Sequence, residues 1–352
     1  MNRVLVTGAT GFIGGHVAAE LLRRGYRVRA LVRDRTDPGH IVSLGAEVIR
    51  GDLLDAAAVK RAVAGCDAVL HLAADFRLWA PDEQVIYRTN VDGTRQVLAA
   101  ALAAGVSRAV YTSTAAILTP LAPEPPRTPS PDQDLLQEGE PAQAQAVVAD
   151  GEPHLADLAN LSGPYDRSKW QAEQEARRLA RDGLPLVIVY PTVPVGPGDR
   201  RPTPTGKLIV DRVRGRLPFY VRLLFNVAAV EDMAVGHVLA LEQGRIGEGY
   251  ILGGRNLTLG DLLVMVDQFA GRRRFRIRVP TGLAMLAALF DEGIFSRLTG
   301  RPPQVSFASV RMAIRCLRFD SRKAVQELGL PQTSVEAALE RAVAWFRREG
   351  YC

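Results

Sequence analysis

Short apolar runs alternate with longer amphipathic segments along the first 190 residues of the chain. Runs rich in valine, isoleucine and leucine predict strands, because branched side chains favour extended backbone. The segments between them repeat apolar positions at the helical period. The predicted strands cover about 3–7, 27–33, 46–50, 67–72, 107–113 and 185–190, and the predicted helices lie near 12–24, 55–64, 82–104 and 164–182. This alternation predicts an α/β fold with a doubly wound parallel sheet.

A glycine-rich turn joins the first predicted strand to the first predicted helix. Residues 8–14 read GATGFIG. A turn at this place brings backbone N–H groups and the positive end of the helix dipole onto a pyrophosphate, and a Cβ atom would block the approach. Gly8, Gly11 and Gly14 therefore predict dinucleotide binding by a Rossmann domain. The alternative interpretation is a tight structural turn that binds no cofactor.

The end of the second strand bears on the choice between NAD and NADP. Val32 stands where an NAD enzyme usually carries an acidic residue, and Arg33 follows it. A guanidinium favours a 2′-phosphate through paired hydrogen bonds, so NADP is the predicted cofactor and NAD the alternative. Asp52, after the third strand, suits a hydrogen bond to the adenine amine. It could equally cap the helix that begins near Asp55.

Composition changes along the chain and predicts two portions. From Val193 onward proline and glycine interrupt the sequence as VPVGPGDRRPTPTG. We predict a dinucleotide-binding domain over 1–192, to which the segment 226–254 returns, and a smaller substrate-binding portion over 193–225 and 255–352. Residues 119–160 are acidic and rich in proline, which predicts an inserted loop that is either a lid or disordered.

Net charge is unevenly distributed. The chain carries +6 in total, with −3 over residues 1–200 and +9 over residues 201–352. The second half therefore suits an anionic ligand or an anionic surface. We consider nucleic acid excluded as a partner, because no recognition motif accompanies the arginines. The basic cluster, which predicts either a pyrophosphate grip or a solvated helix face, comprises Arg200, Arg201, Lys207, Arg212, Arg214, Arg216 and Arg222.

The sequence also indicates where the protein works. Its three cysteines lack metal-ligand spacing and give no disulfide framework, which predicts no metal site and a cytoplasmic protein. No apolar run reaches the roughly 18 residues that a membrane span needs. The apolar stretch Leu283–Phe290 predicts a core helix or an interfacial patch, and with the basic half it could rest on an anionic bilayer.

Tyr165 and Lys169 carry the candidate acid–base chemistry. Their four-residue spacing places the phenol and the ammonium on one face of the helix predicted over 164–182. A free tyrosine titrates near pH 10, and a nearby ammonium is expected to lower its pKa. Lys169 could also hold the ribose hydroxyls next to the nicotinamide. Such a pair is common on helix surfaces, so it gains meaning only from its place after a dinucleotide turn.

Hydroxyl side chains end the fifth predicted strand. Thr112, Ser113 and Thr114 lie at its carboxyl edge, where ligands bind in doubly wound sheets. One of these hydroxyls is predicted to bond the substrate oxygen while the tyrosine moves the proton. The alternative is a hydroxyl that caps a helix or a turn.

Taken in order, these motifs resemble the extended short-chain dehydrogenase/reductase family of NAD-dependent epimerases and dehydratases. HLAA at 71–74, NVDGT at 90–94 and YPT at 190–192 occur in the family's order, and the resemblance covers nearly the whole chain. Within the family the chain is most similar to hopanoid-associated sugar epimerases, as in ALEQGRIGEGYILGGRNLTL. Plant-type dihydroflavonol reductases share the catalytic layout and match these segments less well.

The resemblance implies roles for individual residues. Tyr165 would be the acid/base, Lys169 the cofactor-orienting partner and Thr114 the substrate-polarising hydroxyl, with Ser113 as the alternative. Together with the residues identified above, the implied cofactor-binding set is Gly8, Thr10, Gly11, Phe12, Ile13, Gly14, Arg33, Asp52, Leu53, Leu72, Ala73, Ala74, Asn90, Thr112, Tyr165, Lys169, Pro191 and Val193.

The resemblance also implies an activity. We predict an NAD(P)-dependent epimerase or oxidoreductase that transfers hydride at a carbinol carbon of a nucleotide-linked or hopanoid-linked sugar. The alternatives are an NADPH-dependent ketone or aldehyde reductase and a non-catalytic NAD(P)-binding protein. We expect a homodimer, with peripheral membrane contact if the substrate is a lipid.

Overall fold

A seven-stranded parallel sheet forms the centre of the molecule. The structure, a computed structural model, describes residues 2–119, 153–221, 223–272, 275–292, 310–311 and 318–352. The strands are β1 (Arg3–Thr7), β2 (Arg27–Val32), β3 (Glu47–Arg50), β4 (Ala68–His71), β5 (Arg108–Thr112), β6 (Leu186–Pro191), β7 (Val193–Val195), β8 (Phe219–Tyr220), β9 (Leu224–Ala229), β10 (Gly249–Leu252), β11 (Arg255–Thr258) and β12 (Ile277–Arg278). The large sheet has the order β3–β2–β1–β4–β5–β6–β10, with every neighbouring pair parallel. This order confirms the predicted α/β Rossmann fold.

Helices cover both faces of this sheet. They are α1 (Phe12–Arg23), α2 (Gly39–Ser43), α3 (Ala56–Val63), α4 (Gln84–Tyr87), α5 (Gly93–Ala103), α6 (Pro164–Arg181), α7 (Pro204–Arg214), α8 (Val230–Gln243), α9 (Leu259–Phe269), α10 (Thr281–Phe290), α11 (Arg322–Leu328) and α12 (Val335–Arg348). Side chains alternate along each strand. In β1, Val4 and Val6 therefore join the core beneath α1 and α8, while Leu5 joins the core beneath α3, α5 and α6.

The strand order reverses between β1 and β4, and this reversal creates a crevice. The chain leaves β1 toward β2 and later returns to β4 on the other side of β1. The carboxyl ends of β1 and β4 therefore border an open cleft, the usual ligand site of doubly wound sheets. The glycine-rich turn follows β1 directly, so it lies at this cleft.

A separate core lies under a three-stranded sheet in the C-terminal half. Its order is β11–β9–β7, and helices α7, α9 and α12 supply apolar side chains such as Leu262 and Phe346. Arg212 is buried there and pairs with both carboxylate oxygens of Asp267 at 2.7 and 2.6 Å. This member of the predicted basic cluster is therefore structural. Among the described residues, no helix is both long and apolar enough to cross a membrane.

Several local features differ from the predictions. The predicted helix 82–104 is divided into α4, a π-helical turn at Arg88–Asp92, and α5. The predicted strands end at residue 190, so the later strand β10 was not among them. Helix α2, with five residues, is too short to show a clear period. Most of the predicted acidic insertion, residues 120–152, lies outside the described residues. Its last part packs on the domain, where Thr119 Oγ1 donates to the Leu155 carbonyl at 2.6 Å.

Candidate active site

The glycine-rich turn adopts a shape that excludes larger side chains at two positions. Gly8 has a φ of +77°, and a Cβ there would lie 2.7 Å from the backbone nitrogen of Ala73. A Cβ on Gly14 would lie 2.1 Å from the Gly8 carbonyl oxygen. The Gly11 nitrogen donates to that same oxygen at 2.9 Å. The turn thus leaves the N-terminus of α1 open to the cleft, with Thr10 and Gly11 exposed, and this arrangement fits a pyrophosphate.

The opposite wall of the cleft is held by a chain of buried hydrogen bonds. The Ala73 nitrogen donates to Thr7 Oγ1 at 3.3 Å, and that oxygen lies 2.6 Å from His71 Nδ1. His71 Nε2 lies 3.0 Å from Thr94 Oγ1. Burial, reinforced by the Lys169 charge, lowers the pKa of His71 to about 3, so the ring is neutral. The half-buried residues at the two walls are Phe12, Ile13, Leu72, Ala73 and Ala74.

A basic cavity of about 470 Å³ lies at the carboxyl end of β2, where the adenosine half of a dinucleotide is predicted. Its lining is Arg33, Asp34, Arg35, Thr36, Asp52 and Arg201. Arg50 supports the rim, because its Nη1 donates to the Arg33 and Thr36 carbonyls at 3.0 and 2.7 Å. Asp55, not Asp52, caps α3 by accepting from two backbone nitrogens. The alternative interpretation of Asp52 as that cap is therefore wrong.

The structure brings Tyr165, Lys169 and Thr114 together at the carboxyl edge of β5. Pro164 and Tyr165 open α6, which follows an extended Gly163. One turn later, Lys169 is buried and its Nζ donates to Tyr111 Oη at 2.9 Å and to the Thr112 carbonyl at 2.7 Å. The Thr114 hydroxyl acts on Tyr165 as a hydrogen-bond partner that lowers the phenol's pKa. A phenol and a polar hydroxyl thus lie side by side at this edge of the sheet.

The predicted lowering of the Tyr165 pKa by Lys169 is wrong for this arrangement. Burial, followed by the negative charge of Asp166, raises the pKa of Tyr165 to about 12. Burial also lowers the pKa of Lys169 to about 7, against the opposing effect of Glu173. The ammonium is directed to Tyr111 and a carbonyl, so its charge does not offset the desolvation of the phenol. Tyr165 is therefore a protonated phenol at neutral pH.

Ser113 is directed away from the phenol and into a buried polar network. Its Oγ donates to Glu173 Oε2 at 2.6 Å. Glu173 Oε1 accepts from Tyr190 Oη at 2.7 Å and from Arg177 Nε at 2.9 Å. Glu173 is fully buried, and these three donors compensate the cost of removing its carboxylate from water. This places Ser113 in the support of α6. Thr114 Oγ1 accepts from the Ala116 nitrogen at 3.3 Å and caps a short 3-10 turn, as the alternative interpretation expected, and the same hydroxyl lies next to Tyr165.

The remaining predicted contacts lie around this centre. Thr112 turns its hydroxyl toward His237 Nε2 at 3.1 Å, so only its carbonyl meets Lys169. Asn90, in the π-helical turn, donates to Ser168 Oγ at 2.9 Å and exchanges hydrogen bonds with the backbone of residue 75. Leu53 packs against Gly93 at the start of α5. Pro191 and Val193 lie at the end of β6 and the start of β7, at the same edge as Tyr165.

Four residues of this region have no site role in the sequence predictions. Glu173 lies four positions after Lys169 on the same helix face, and that spacing could have revealed it. Tyr111 shares the strand face of Ser113 by the two-residue alternation, which could also have been used. Arg35 lies two residues after Arg33, and that spacing could have revealed it. His237 carries no local signal, because only the tertiary fold brings it to Thr112. Arg201 was predicted only as a member of the basic cluster, and its place in this cavity also depends on the tertiary fold.

A phenol and a hydroxyl that face a dinucleotide-type cleft define an NAD(P)-dependent enzyme, in which a hydride and a proton move together. The chain belongs to the NAD dependent epimerase/dehydratase family, whose pattern matches residues 4–253. It is thus of the extended short-chain dehydrogenase/reductase type. Membership indicates an NAD(P)-dependent enzyme.

Its relatives include reductases and a sterol-processing protein. The chain is 38% identical to the "Putative dihydroflavonol 4-reductase" of Synechocystis over 98% of its own length and 95% of the relative's. It is 32% identical to sterol demethylase protein B of Methylococcus capsulatus over 98% of both chains. The match to the crystal structure of gox2253 spans 100% of this chain and 99% of that chain, with a TM-score of 0.82 and 39% sequence identity.

Proposed function

We propose that the protein is an NADPH-dependent reductase that converts the carbonyl group of an apolar ketone or aldehyde into a carbinol. The observation that carries this proposal is the cavity with three arginines at the adenosine side of the cleft. Guanidinium groups favour the 2′-phosphate that distinguishes NADP(H) from NAD(H). A net reductase consumes NADPH, whereas an epimerase takes its hydride back and needs no such preference.

When bound in the cleft, NADPH would supply the hydride that the carbonyl carbon needs. Tyr165 donates its phenolic proton to the carbonyl oxygen, which gives the neutral carbinol. The phenol carries its proton at neutral pH and can therefore act as an acid, but the raised pKa does not by itself favour reduction, because it also makes the phenol a weaker acid. Thr114 would hydrogen-bond the same oxygen, and Lys169 would hold the ribose next to the nicotinamide. The apolar part of the substrate would lie against the portion formed by 193–225 and 255–352.

The names of the relatives support an apolar substrate. A dihydroflavonol and a sterol are both large, poorly soluble ring systems, and both relatives match nearly the whole chain. Epimerisation of a nucleotide-linked or hopanoid-linked sugar is the second candidate. It is favoured by the family's description, which names epimerases.

One assay separates the two candidates. The purified protein is incubated with NADPH and, in separate reactions, with a dihydroflavonol, a sterol ketone or nucleotide sugars. Steady loss of the reduced nicotinamide absorbance with a ketone supports the reductase. Exchange of sugar isomers without net loss of NADPH assigns the protein to the epimerases and overturns the reductase.

The cofactor preference has its own test. Replacing Arg33 with aspartate places a negative charge where the 2′-phosphate is proposed to bind. We expect Arg33→Asp to reverse the preference from NADP(H) to NAD(H), measured as the ratio of the two dissociation constants. A ratio that stays at the wild-type value contradicts the role of Arg33.

We also propose peripheral contact with an anionic membrane through helix α10. Leu283, Leu286 and Phe290 repeat at helical spacing and are 59%, 54% and 64% exposed. The neighbouring Arg276 and Arg278 are also exposed, and they match the charge of acidic headgroups. We expect the protein to sediment with phosphatidylglycerol vesicles and not with phosphatidylcholine vesicles.

The matched variants for this test are Leu286→Glu and Ile246→Glu. Ile246 is similarly exposed, at 58%, but it belongs to a different part of the fold. It lies in the connection between α8 and β10 of the large sheet, far from α10 in the sequence. Leu286→Glu should lose vesicle binding and Ile246→Glu should retain it. Equal binding by both variants would rule out α10 as the contact.

A further inference from the structure

Arg201 reaches the basic cavity from a different part of the chain than its neighbours there. Arg33 and Arg35 directly follow β2 in the nucleotide-binding sheet, whereas Arg201 belongs to the segment between β7 and α7. All three side chains are exposed to the cavity's solvent. The basic surface is therefore assembled from two portions of the molecule. This location also corrects the sequence interpretation in which Arg201 gripped the substrate.

The segment that carries Arg201 is fixed on both sides of that residue. Asp199 is 2% exposed, and its Oδ2 accepts from the backbone nitrogen and the hydroxyl of Thr203, both at 2.8 Å. The Pro197 carbonyl lies 2.9 Å from His16 Nε2 on α1. Tyr351 Oη donates to the Arg200 carbonyl at 2.6 Å. The backbone of Arg201 is thus held at the cleft before any ligand arrives.

The opposite rim of the cavity, which carries Arg33 and Arg35 after β2, is also held by hydrogen bonds. Arg50 holds the carbonyls of Arg33 and Thr36, and Thr36 is itself buried. Two preformed rims lower the entropy that a ligand must lose to order them. A ligand that meets arginines on both rims is expected to bind more tightly than one that meets a single rim.

The charge of the cavity indicates the chemistry of that ligand. Three guanidinium groups face two carboxylates, those of Asp34 and Asp52, so the lining carries a net positive charge. A neutral ribose would leave the three cations uncompensated by the ligand. A phosphate monoester carries close to two negative charges at neutral pH and offers several acceptor oxygens.

We propose that Arg201 and Arg35 complete a 2′-phosphate clamp across the cleft, so that the 2′-phosphate of NADP(H) adds a bridge between the segment 196–203 and the nucleotide-binding sheet that NAD(H) cannot make. This inference rests on the proposed NADPH dependence. It goes further, because the clamp would join the two portions of the molecule between which the substrate is proposed to lie, and would thereby fix their relative position.

The first experiment measures binding without turnover. Adenosine 2′,5′-bisphosphate and 5′-AMP differ only in the 2′-phosphate, and calorimetric titration gives the affinity of each for the full-length protein. Loss of one charge-assisted contact is expected to weaken bisphosphate binding to Arg201→Ala by about tenfold. The affinity for 5′-AMP should change less than about twofold, since that ligand lacks the contacted group.

A charge-matched control separates contact from general electrostatics. Arg23 lies at the far end of α1, about 17 Å along the helix axis from the glycine turn, and its side chain is 69% exposed. Arg23→Ala removes the same charge and should leave both affinities at the wild-type values. Equal weakening by Arg23→Ala and Arg201→Ala would assign the effect to long-range charge and overturn the clamp.

Limited proteolysis gives a second, independent readout. Trypsin cuts the bond between Arg200 and Arg201, whereas the bond between Arg201 and Pro202 resists it. NADP⁺ should slow cleavage after Arg200 in the wild-type protein, because a phosphate bound to the Arg201 side chain would cover this bond, and NAD⁺ at equal saturation should not. In Arg201→Ala the bond after Arg200 remains cleavable, but protection by NADP⁺ should be lost.

The outcomes distinguish the clamp from the proposed function. If Arg33→Ala loses the preference for the bisphosphate and Arg201→Ala keeps it, the clamp is overturned and the NADPH dependence stands. If the wild-type protein binds both nucleotides equally, the NADPH dependence fails and the clamp fails with it. If Arg201→Ala weakens both nucleotides alike, Arg201 supports the fold and is not a phosphate contact.

Discussion

At the scale of single residues, side-chain direction along β5 decides which hydroxyl can serve the cleft. Tyr111 and Ser113 point toward α6, where they meet Lys169 and Glu173. Thr112 points the other way and meets His237 on α8. Thr114 comes after the strand has ended, and it is the hydroxyl that acts on Tyr165. Three adjacent hydroxyls therefore have three different surroundings.

This difference predicts that substitutions of Thr114 and Ser113 affect different quantities, kcat in the first case and mainly the free energy of unfolding in the second. Thr114→Val keeps the shape and removes the hydroxyl proposed to bond the substrate oxygen, so kcat should fall by roughly 10²-fold. It also removes the hydrogen bond from the Ala116 nitrogen to Thr114 Oγ1, which should cost about 1 kcal/mol of unfolding free energy. Ser113→Ala removes one donor to a buried carboxylate and should cost about 1–3 kcal/mol of unfolding free energy. Steady-state kinetics and urea denaturation of both variants check the split. A larger loss of kcat in Ser113→Ala would reverse the assignment.

Tyr165 allows a second test at this scale. Tyr165→Phe removes the transferable proton and preserves the ring, so kcat should fall by about 10²–10⁴-fold. The NADPH dissociation constant should stay close to the wild-type value, because the phenol is proposed to contact the reacting oxygen. Single-turnover kinetics and a fluorescence titration measure the two quantities. Retained turnover would remove Tyr165 from the mechanism.

At the scale of elements, the junctions between strands and helices place the site. The turn from β1 into α1 depends on Gly8 and Gly14, because a Cβ atom on either residue would collide with neighbouring backbone atoms. The break between α4 and α5 has a different origin. Its apolar period continues, but the π-helical turn directs Asn90 into a buried pocket with Ser168.

The two glycines that open α1 provide a matched pair of variants. A Cβ on Gly14 would lie 2.1 Å from the Gly8 carbonyl oxygen, whereas on Gly15 the nearest such atom is 3.5 Å away. Gly14→Ala should therefore destabilise the turn and abolish NADPH binding. Gly15→Ala should retain binding and gain up to about 1 kcal/mol from helix propensity. Thermal unfolding and nucleotide titration test both, and equal behaviour of the two variants would contradict this account.

At the scale of the whole molecule, two neutral histidines connect the sheet to helices on opposite faces. His71 joins β4 to α5 through Thr94, and its pKa is lowered to about 3 by burial. His237 joins α8 to β5 through Thr112, and burial lowers its pKa to about 4. Met233 offers a carbonyl to His237 Nδ1 at 2.6 Å, so this nitrogen must carry the proton. Both rings are therefore neutral in the folded state.

These histidines predict acid sensitivity of the fold. The unfolded chain takes up a proton at each ring below pH 6.5, the ordinary histidine pKa, and the folded chain does not until about pH 4 or 3. The free energy of unfolding should therefore fall with decreasing pH in this window, by up to about 2.7 kcal/mol per pH unit. Urea denaturation at pH 7.5, 6 and 5 measures the slope.

Removing one ring isolates its share of that slope. His237→Gln should reduce the pH dependence by about 1.4 kcal/mol per unit, because one fewer proton binds on unfolding. His71→Gln provides the same test if the first variant fails to fold. A slope unchanged in both variants would show that other groups cause the acid sensitivity.

The sequence by itself determined six of the seven strands of the large sheet, the nucleotide turn and the tyrosine–lysine pair, because each rests on local period or short spacing. Strand and helix periods extend over consecutive residues, and the helix places Tyr165 and Lys169 on one face wherever it packs. Only the tertiary structure decided the state of the phenol and the makeup of the basic cavity. A pKa depends on burial and on charges from other elements, and Arg201 meets Arg33 only after the chain has folded back across the cleft.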